Sequence, residues 1–218
     1  MDVAAVPEAD LSGCSDAHAR LWSDVAGLGD DEVRRPSLLP GWTVGHVLNH
    51  LRRNAEGFTT MVLSARRGEV ADQYASRAAR EAGIDDGAAA PAATLCEELR
   101  RATDELEAAW SALNPEQWRD GRGRTLRGEI DIAELPWRRW REVDVHHADL
   151  GLGFGYDEWP DAFVRRELPG LVSIWKSRRP MGLTELPAEV LALSPQRRLA
   201  WLFGRLDVPG VAPADVYS

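Results

Sequence analysis

Four of the five histidines in the chain lie in two short segments that are far apart in the sequence. The first segment contains His46 and His50, and the second contains Glu142, His146 and His147. Side chains four residues apart share one face of an α-helix, one turn apart, so each segment can present two metal-ligand groups together. Two imidazoles and one carboxylate from two packed helices could bind one metal ion and leave open coordination positions, which a catalytic metal requires.

The spacing leaves several choices of ligand open. Either His46 or His50 could contribute from the first segment. In the second segment, His146 and His147 cannot point in the same direction, because neighbouring helical residues are rotated by about 100°. Glu142 shares a face with His146, so His147 is expected to serve the structure or to support a ligand. The alternative, that these histidines only pack in a core or face solvent, also stays open at this point.

Amphipathic patterns predict the helices that would position these groups. Four helices are predicted, at about residues 16–28, 43–67, 92–113 and 131–150. Thr43 is the expected N-cap of the second helix, and Pro136 falls in the first turns of the fourth, where proline is tolerated or kinks the helix. Residues 68–91 form a long, partly helical connection, and residues 119–128 are a glycine- and arginine-rich loop or hairpin. Four amphipathic helices with one long central connection indicate a helix bundle.

The C-terminal part of the chain differs in character from the bundle. After Trp159 and Pro160, residues 161–175 and 194–206 are predicted to be helical, and a proline-containing stretch separates them. We therefore predict two domains, a metal-binding helix bundle at residues 1–155 and a small C-terminal subdomain at residues 156–218.

The composition limits the classes of partner. The chain has 218 residues, of which 44% are hydrophobic and 28% charged, as in a globular protein with a proper core. Its net charge of -9 disfavours nucleic acid as a partner, although local arginine clusters allow a small anionic substrate. No apolar run approaches the ~18 residues of a membrane helix, and no signal peptide is evident. Cys14 and Cys96 lack a CxxC spacing, so we expect reduced thiols in a cytoplasmic protein without a membrane partner.

Two motifs around the histidines resemble those of a known enzyme family. Residues 39–55 (LPGWTVGHVLNHLRRNA) resemble the first metal-helix motif of the mycothiol-dependent maleylpyruvate isomerases, which belong to the DinB-like superfamily. Residues 138–156 (RRWREVDVHHADLGLGFGY) are similar to the second motif, and residues 199–205 (LAWLFGR) are similar to the family's C-terminal segment. The resemblance implies a mainly α fold, a DinB-like four-helix bundle with a small α/β C-terminal subdomain.

The resemblance also implies a ligand set. In that family the metal-ligating histidine of the first motif stands eight residues after the tryptophan, a position that is His50 in this chain. The glutamate and the histidine of the second motif match Glu142 and His146. The implied site is therefore zinc bound by His50, Glu142 and His146, with open positions for water or a thiol. His46 would then pack or orient, and His147 would have a supporting role.

Two arginines match positions that the family uses in catalysis. Arg80 matches an arginine of the central connection, and Arg205 matches one near the C-terminus. Guanidinium groups pair with carboxylates through two parallel hydrogen bonds, so these side chains are expected to hold the carboxylates of an anionic substrate and to stabilise an enolate. The stretch from Met181 to Ser194 is shorter than its counterpart in the family, and this departure leaves the exact substrate open.

The resemblance implies a reaction and its partners. Zinc would produce a thiolate from mycothiol, and the thiolate would add to the cis double bond of maleylpyruvate. Rotation about the resulting single bond and elimination would give fumarylpyruvate. The same addition without elimination would make a mycothiol S-transferase, zinc-bound water could instead hydrolyse a substrate, and a non-catalytic ligand-binding bundle is a further alternative. The expected partners are a small anionic or electrophilic substrate and a low-molecular-weight thiol, and the expected state is a monomer or a homodimer.

Overall fold

Helices make up most of the protein and form two units. The computed structural model describes residues 6–178, 184–214 and 216. The chain divides into a first unit, Met1–Leu152, and a second unit, Gly153–Ser218. None of the helices within the described residues has the length and the apolar character needed to span a bilayer.

The first unit is a helix bundle with one β-hairpin. Its elements in chain order are α1 (Glu8–Val25), α2 (Asp30–Val33), α3 (Val44–Ala65), α4 (Arg77–Gly87), α5 (Ala92–Ser111), α6 (Pro115–Asp120), β1 (Arg122–Thr125), β2 (Gly128–Asp131) and α7 (Leu135–Asp149). The long helices α1, α3, α5 and α7 form the bundle, in which α3 packs against α5 and α7, and α1 packs against α7. The prediction of a mainly α four-helix bundle is confirmed.

The bundle core is built from apolar faces with helical spacing. Buried core side chains from the four long helices include Leu21, Val47, Leu48, Leu51, Leu99, Leu106 and Val143. Their intervals of three, four and seven residues within a helix follow the helical period, which turns one face of each helix inward. A Cβ atom at Gly13 would overlap the ring of Trp140, so the glycine allows α1 and α7 to approach closely.

Helix α3 begins at the turn that the sequence predicts. Gly41 has a φ of 79°, in the left-handed region that favours glycine, and it directs the chain into the helix. Thr43 is the N-cap, and its hydroxyl accepts a hydrogen bond from the backbone N–H of His46 at 3.3 Å. The register of the first turn of α3 is therefore fixed by this cap.

The long connection between α3 and α5 is held at its start by the segment Arg122–Thr125 and further along by α3. At its start, the N–H of Gln73 donates to the carbonyl of Arg124 at 2.8 Å, and the N–H of Arg124 donates to the carbonyl of Ala71 at 2.9 Å. Further along, Nδ2 of Asn49 on α3 donates to the carbonyl of Ile84 on α4 at 2.6 Å. The hydrogen bond from Asn49 places α4 beside the N-terminal half of α3.

The glycine- and arginine-rich segment forms the antiparallel hairpin of β1 and β2. Arg122 pairs with Asp131, and Thr125 pairs with Gly128 next to the turn. Gly128 has a φ of 128°, a conformation that residues with a Cβ rarely adopt. The hairpin leads into α7 through one 3-10 turn, Ile132–Glu134, and the proline of α7 lies in its first turn, where its missing N–H costs nothing.

The described part of the second unit consists of helices and turns. It contains a 3-10 turn (Tyr156–Glu158) and the helices α8 (Asp161–Ser177), α9 (Ala188–Leu191) and α10 (Pro195–Leu202). Its core includes an aromatic cluster in which the rings of Trp159 and Phe203 lie 5.7 Å apart and those of Trp175 and Trp201 lie 5.9 Å apart. The resemblance implies an α/β subdomain here, whereas both strands of the described structure belong to the first unit. Part of the stretch that begins at Met181 lies outside the described residues.

A buried arginine joins the four long helices. The side chain of Arg139 on α7 is fully buried. Its Nη1 donates to the carbonyl of Leu51 at 2.8 Å and to Oδ1 of Asn54 at 2.9 Å, both on α3. Its Nε donates to Nε2 of His18 on α1 at 3.1 Å, and its Nη2 donates to Oγ1 of Thr103 on α5 at 3.4 Å. The guanidinium group is thus satisfied by partners from the three other helices.

His18 links the guanidinium group of Arg139 to the carboxylate of Glu107 by hydrogen bonds. Since Nε2 of His18 accepts from Arg139, its Nδ1 donates to Oε1 of Glu107 at 2.7 Å. Burial lowers the pKa of His18, so the imidazole is neutral and bridges the two charges. The hydrogen bond from His18 lowers the pKa of Glu107, which keeps that carboxyl group ionised.

We expect Arg139→Ala to destabilise the protein strongly. The substitution leaves the carbonyl of Leu51 and the side chains of Asn54 and His18 buried without their donor, and removal of one member of a buried charged network costs about 3–5 kcal/mol. Urea denaturation of the metal-free protein, followed by circular dichroism, measures this loss in the free energy of unfolding.

The matched control is Arg138→Ala, one residue earlier on α7. Arg138 is partly exposed and makes an ion pair with Glu134 one turn away at 2.8 Å. Such surface pairs contribute about 0.2–1 kcal/mol, so the control should cost far less than Arg139→Ala. Equal losses in the two variants would contradict the role given to Arg139.

Candidate metal centre

Three side chains from two helices converge at one point of the first unit. His50 lies on α3, and Glu142 and His146 lie on α7; one ligand-type atom from each lies within 4.8 Å of the others. Nε2 of His50 is 2.9 Å from Oε2 of Glu142, and Nε2 of His146 is 3.6 Å from the same oxygen. The two imidazole rings are nearly perpendicular, at 89°, with centroids 4.6 Å apart. The side chain of Glu142 is 31% exposed, so the cluster is open on one side.

His46 is held away from this cluster by the helix cap. Its Nδ1 lies 2.7 Å from Oγ1 of Thr43 and accepts from the backbone N–H of Thr43 at 3.1 Å. This hydrogen bond completes a reciprocal cap in which each residue bonds the backbone of the other. The structure therefore places His50, and not His46, beside Glu142, a choice that the spacing alone left open.

Trp42 lies against both histidines of α3. Its ring stacks on that of His46 at 6.2 Å between centroids, and it meets the ring of His50 at an angle of 60° and 5.6 Å. His50 is buried, with 3% of its side chain exposed. The tryptophan of the first motif thus packs against the imidazole that faces Glu142 and fills the space next to it.

The two histidines of the cluster have different outer partners. Nδ1 of His146 lies 2.8 Å from Oδ2 of Asp149, whose carboxylate is buried on the last turn of α7. Nδ1 of His50 instead faces Nη2 of Arg80 at 3.3 Å. The guanidinium carbon of Arg80 lies 5.9 Å from the centre of the Tyr74 ring, at cation–π distance. The structure thus brings Arg80 next to a candidate ligand.

His147 points away from the cluster and connects two helices. Its Nε2 lies 2.8 Å from Oδ2 of Asp24 on α1, and its side chain is buried. Burial lowers the pKa of His147, although the hydrogen bond to Asp24 acts in the opposite direction. This arrangement agrees with the supporting role expected from the angle between neighbouring helical residues.

The protonation states at neutral pH suit metal binding. Burial lowers the pKa of His50 to about 4, so its imidazole is neutral. Burial alone would raise the pKa of Glu142, but the hydrogen bond from His50 and the nearby positive charges hold it well below its usual range. A neutral imidazole and a carboxylate are the forms in which these groups bind a metal ion.

The donor set fits a divalent metal ion with an open coordination position. Two imidazole nitrogens and one carboxylate oxygen are a ligand combination of catalytic zinc sites. The hydrogen bond between His146 and Asp149 is the type of outer contact that orients a ligating imidazole. His50, Glu142 and His146 could therefore hold such an ion.

Arg205 belongs to the second unit. It follows α10 and is partly buried, and its Nη1 donates to the carbonyl of Phe203 at 2.9 Å. Its catalytic role stays a prediction that comes from the resemblance of the C-terminal segment.

Three residues near the cluster are not identified by the sequence pattern. Asp149 stands three residues after His146, a spacing that could have indicated a contact on one helix face. Tyr74 lies in the connection, where no periodic pattern identifies it. Arg139 is one of three arginines within four residues, and only the packing of the bundle shows that it is the fully buried one.

One family model matches the chain, and two solved structures share its fold. The family model for the mycothiol maleylpyruvate isomerase N-terminal domain matches residues 14–151. A crystal structure of the mycothiol-dependent maleylpyruvate isomerase is similar, with a TM-score of 0.81 and 23% identity, over 91% of this chain and 89% of that chain. A histidine-to-alanine mutant of such an isomerase has a TM-score of 0.74 and 24% identity, over 79% of this chain and 72% of that chain. No curated protein matches the sequence.

We expect His50 in the metal-free protein to take up a proton only near pH 4. The folded protein holds the pKa of this imidazole below the ordinary value of 6.5, so the unfolded chain binds the proton first as the pH falls. The free energy of unfolding should therefore decrease as the pH is lowered from about 6.5 towards 4.

Histidine nitrogen-15 chemical shifts measured against pH report the midpoint, and His50→Gln identifies the signal. The same titration in concentrated urea is the control, where the imidazole should titrate near its ordinary pKa of about 6.5. A midpoint near that value in the folded protein would contradict the buried environment of His50.

Proposed function

The chain belongs to the family of the mycothiol maleylpyruvate isomerase N-terminal domain, and from this membership we propose that it is a zinc- and mycothiol-dependent enzyme. Its proposed reaction is the cis–trans isomerisation of maleylpyruvate, or of a related unsaturated acid, to the trans product. The observation that carries the proposal is the convergence of His50, Glu142 and His146 within 4.8 Å in a chain of this family.

In this proposal His50, Glu142 and His146 hold the zinc ion. When bound, zinc acts as a Lewis acid that lowers the pKa of a thiol, so that a thiolate is available at neutral pH. The carboxylate of Glu142 neutralises part of the metal charge, and the two imidazoles provide neutral nitrogen ligands. Asp149 keeps the ring of His146 oriented through the hydrogen bond at Nδ1.

The proposed reaction is a reversible addition of a thiol across a carbon–carbon double bond. The sulfur bonds to one alkene carbon, and the electron pair of the double bond moves towards the neighbouring carbonyl as an enolate. The former double bond is then single and rotates, and expulsion of the same thiolate restores the double bond in the trans form. The thiol is recovered, so the net reaction changes only the geometry of the substrate.

Arg80, which lies next to the cluster, is well suited to bind a substrate carboxylate. Its guanidinium group is permanently charged, partly exposed, and lies next to His50. A guanidinium group placed here can pair with a carboxylate and stabilise the negative charge that develops on an enolate. The proposal keeps Arg205 as the partner of a second carboxylate, on the basis of its motif alone.

A mycothiol S-transferase is a second candidate. The family model describes an N-terminal domain and its match ends at residue 151, so it does not assign the substrate contacts that the second unit could provide. A transferase would use the same metal centre and the same addition, but the thiol would remain attached to the electrophile.

We expect Glu142→Gln and His146→Ala to abolish stoichiometric zinc binding while the helix content stays unchanged. Each substitution removes one of three ligands at the open side of the bundle, where the side chains are partly exposed and contribute little to the core. Metal content after dialysis, measured by inductively coupled plasma mass spectrometry, and far-ultraviolet circular dichroism test both parts.

The control for the ligand variants is His46→Ala. His46 lies one turn before His50, and its Nδ1 bonds Thr43 at the helix cap, so this variant should retain zinc. Full zinc occupancy in Glu142→Gln or His146→Ala would contradict the ligand assignment. Loss of zinc in His46→Ala would contradict the choice of His50 over His46, which rests on the resemblance and on the contact of His50 with Glu142.

The activity experiment separates the two enzyme classes. Purified zinc-loaded protein is incubated with mycothiol and maleylpyruvate, and the products are followed by mass spectrometry and ultraviolet absorbance. We expect fumarylpyruvate to accumulate with mycothiol unconsumed. A stable conjugate that consumes one thiol per product would instead support the transferase, and no reaction with any tested electrophile would favour a ligand-binding bundle.

A further inference from the structure

The Nδ1 atoms of His50 and His146 face different hydrogen-bond partners, a donor in one case and an acceptor in the other. Nδ1 of His146 faces the carboxylate of Asp149 at 2.8 Å, and a carboxylate accepts hydrogen bonds. Nδ1 of His50 faces Nη2 of Arg80 at 3.3 Å, and a guanidinium group only donates. The two imidazoles therefore have different hydrogen positions imposed on them by their surroundings.

These partners determine where the hydrogen of His50 lies in the metal-free protein. Since Nδ1 accepts from Arg80, the ring hydrogen is on Nε2 and points at Oε2 of Glu142, which lies 2.9 Å away. The contacts on both sides of the ring agree on this tautomer. His50 is thus held by one donor and one acceptor.

Binding of a metal ion through Nε2 requires the other tautomer. The Nε2 atoms of His50 and His146 face the shared oxygen of Glu142, so these are the atoms available to a metal ion in the cluster. A neutral imidazole that ligates through Nε2 carries its hydrogen on Nδ1. For His146 this hydrogen points at Asp149, but for His50 it would meet the N–H group of Arg80, donor against donor.

We propose that metal binding breaks the hydrogen bond between Arg80 and His50 and frees the guanidinium group of Arg80 to bind a carboxylate. The inference rests on the proposed ligand set. Tyr74 lies under Arg80 at 5.9 Å, and its aromatic face can hold the cation while the hydrogen bond to His50 is lost. All donors of the Arg80 guanidinium group are therefore available to an anion once the metal centre is filled, so metal binding favours binding of the anionic substrate.

Chemical labelling of arginine tests the release directly. Metal-free and zinc-loaded protein are treated with phenylglyoxal, and the modification of each arginine is followed by peptide mass spectrometry. We expect zinc to increase the rate of modification of Arg80 several-fold. Arg77, an exposed residue three positions earlier on α4, serves as the internal control, and its rate should not change. An unchanged rate at Arg80 in protein that has bound zinc would overturn the inference.

The hydrogen position on His50 gives a second readout. Nitrogen-15 shifts distinguish the ring nitrogen that carries hydrogen from the one that does not, and zinc is diamagnetic. We expect the hydrogen of His50 to move from Nε2 to Nδ1 on zinc binding, and that of His146 to be on Nδ1 in both states. A His50 tautomer that stays the same in zinc-loaded protein would contradict the proposal.

Zinc affinities of variants test whether the contact between Arg80 and His50 competes with metal binding. Because Arg80 stabilises the metal-free form, Arg80→Gln should bind zinc roughly fivefold more tightly, as expected for loss of one competing hydrogen bond of ordinary strength. Asp149→Asn should bind it about 10–100-fold more weakly, as for loss of an outer carboxylate partner.

Arg77→Gln is the matched control for the charge change, since it also removes one cation from α4. An affinity gain in Arg77→Gln equal to that in Arg80→Gln would show a general charge effect and overturn the specific coupling. Failure of the unmodified protein to bind zinc would overturn the metal site itself, together with this inference.

Discussion

The guanidinium group of Arg139 is the contact on which the geometry of the first unit depends. From α7 it donates to Leu51 and Asn54 on α3, to His18 on α1 and to Thr103 on α5. A fully buried cation is costly unless its donors are satisfied, so the four helices must keep the mutual positions that satisfy them. Apolar side chains alone would tolerate small sliding movements of one helix along another, because the hydrophobic effect is not directional.

The same contact determines where the candidate ligands lie. Arg139, Glu142 and His146 follow one another at intervals of three and four residues, so they share one face of α7. On α3, the carbonyl that accepts from Arg139 belongs to Leu51, the residue after His50. A displacement of α3 that separated His50 from Glu142 would therefore also remove an acceptor from a buried guanidinium group. The position of α3 along α7 therefore determines both the contact of Arg139 with Leu51 and the 2.9 Å separation of His50 and Glu142.

The parts of the structure that local sequence determines were predictable. The amphipathic periods predicted the four long helices, and Thr43 was identified as a cap because its hydroxyl acts within one turn. The spacing identified the histidine clusters but could not choose between His46 and His50, since that choice depends on a reciprocal cap and on the position of α7. Arg139 and Tyr74 were missed because their partners are distant in sequence, and no pattern distinguishes a buried arginine among its exposed neighbours. The α/β character expected at the C-terminus came from resemblance alone, and both described strands lie in the first unit.

Arg139 and Arg80 both lie near the cluster but differ in their freedom to move. Arg139 is suited to a structural role, and Arg80 is suited to binding a ligand. Arg139 makes hydrogen bonds with all three of its guanidinium nitrogens inside the core, and its charge contributes to keeping the pKa of Glu142 low. It therefore holds the carboxylate in the form that a metal ion needs without competing for a ligand atom. Arg80 is partly exposed and contacts His50 through one 3.3 Å hydrogen bond, which a small rotation of its side chain can break. Because a metal ion and Arg80 require different tautomers of the same imidazole, Arg80 is the cation that yields, and its displacement leaves the hydrogen bonds of Arg139 in the core unchanged.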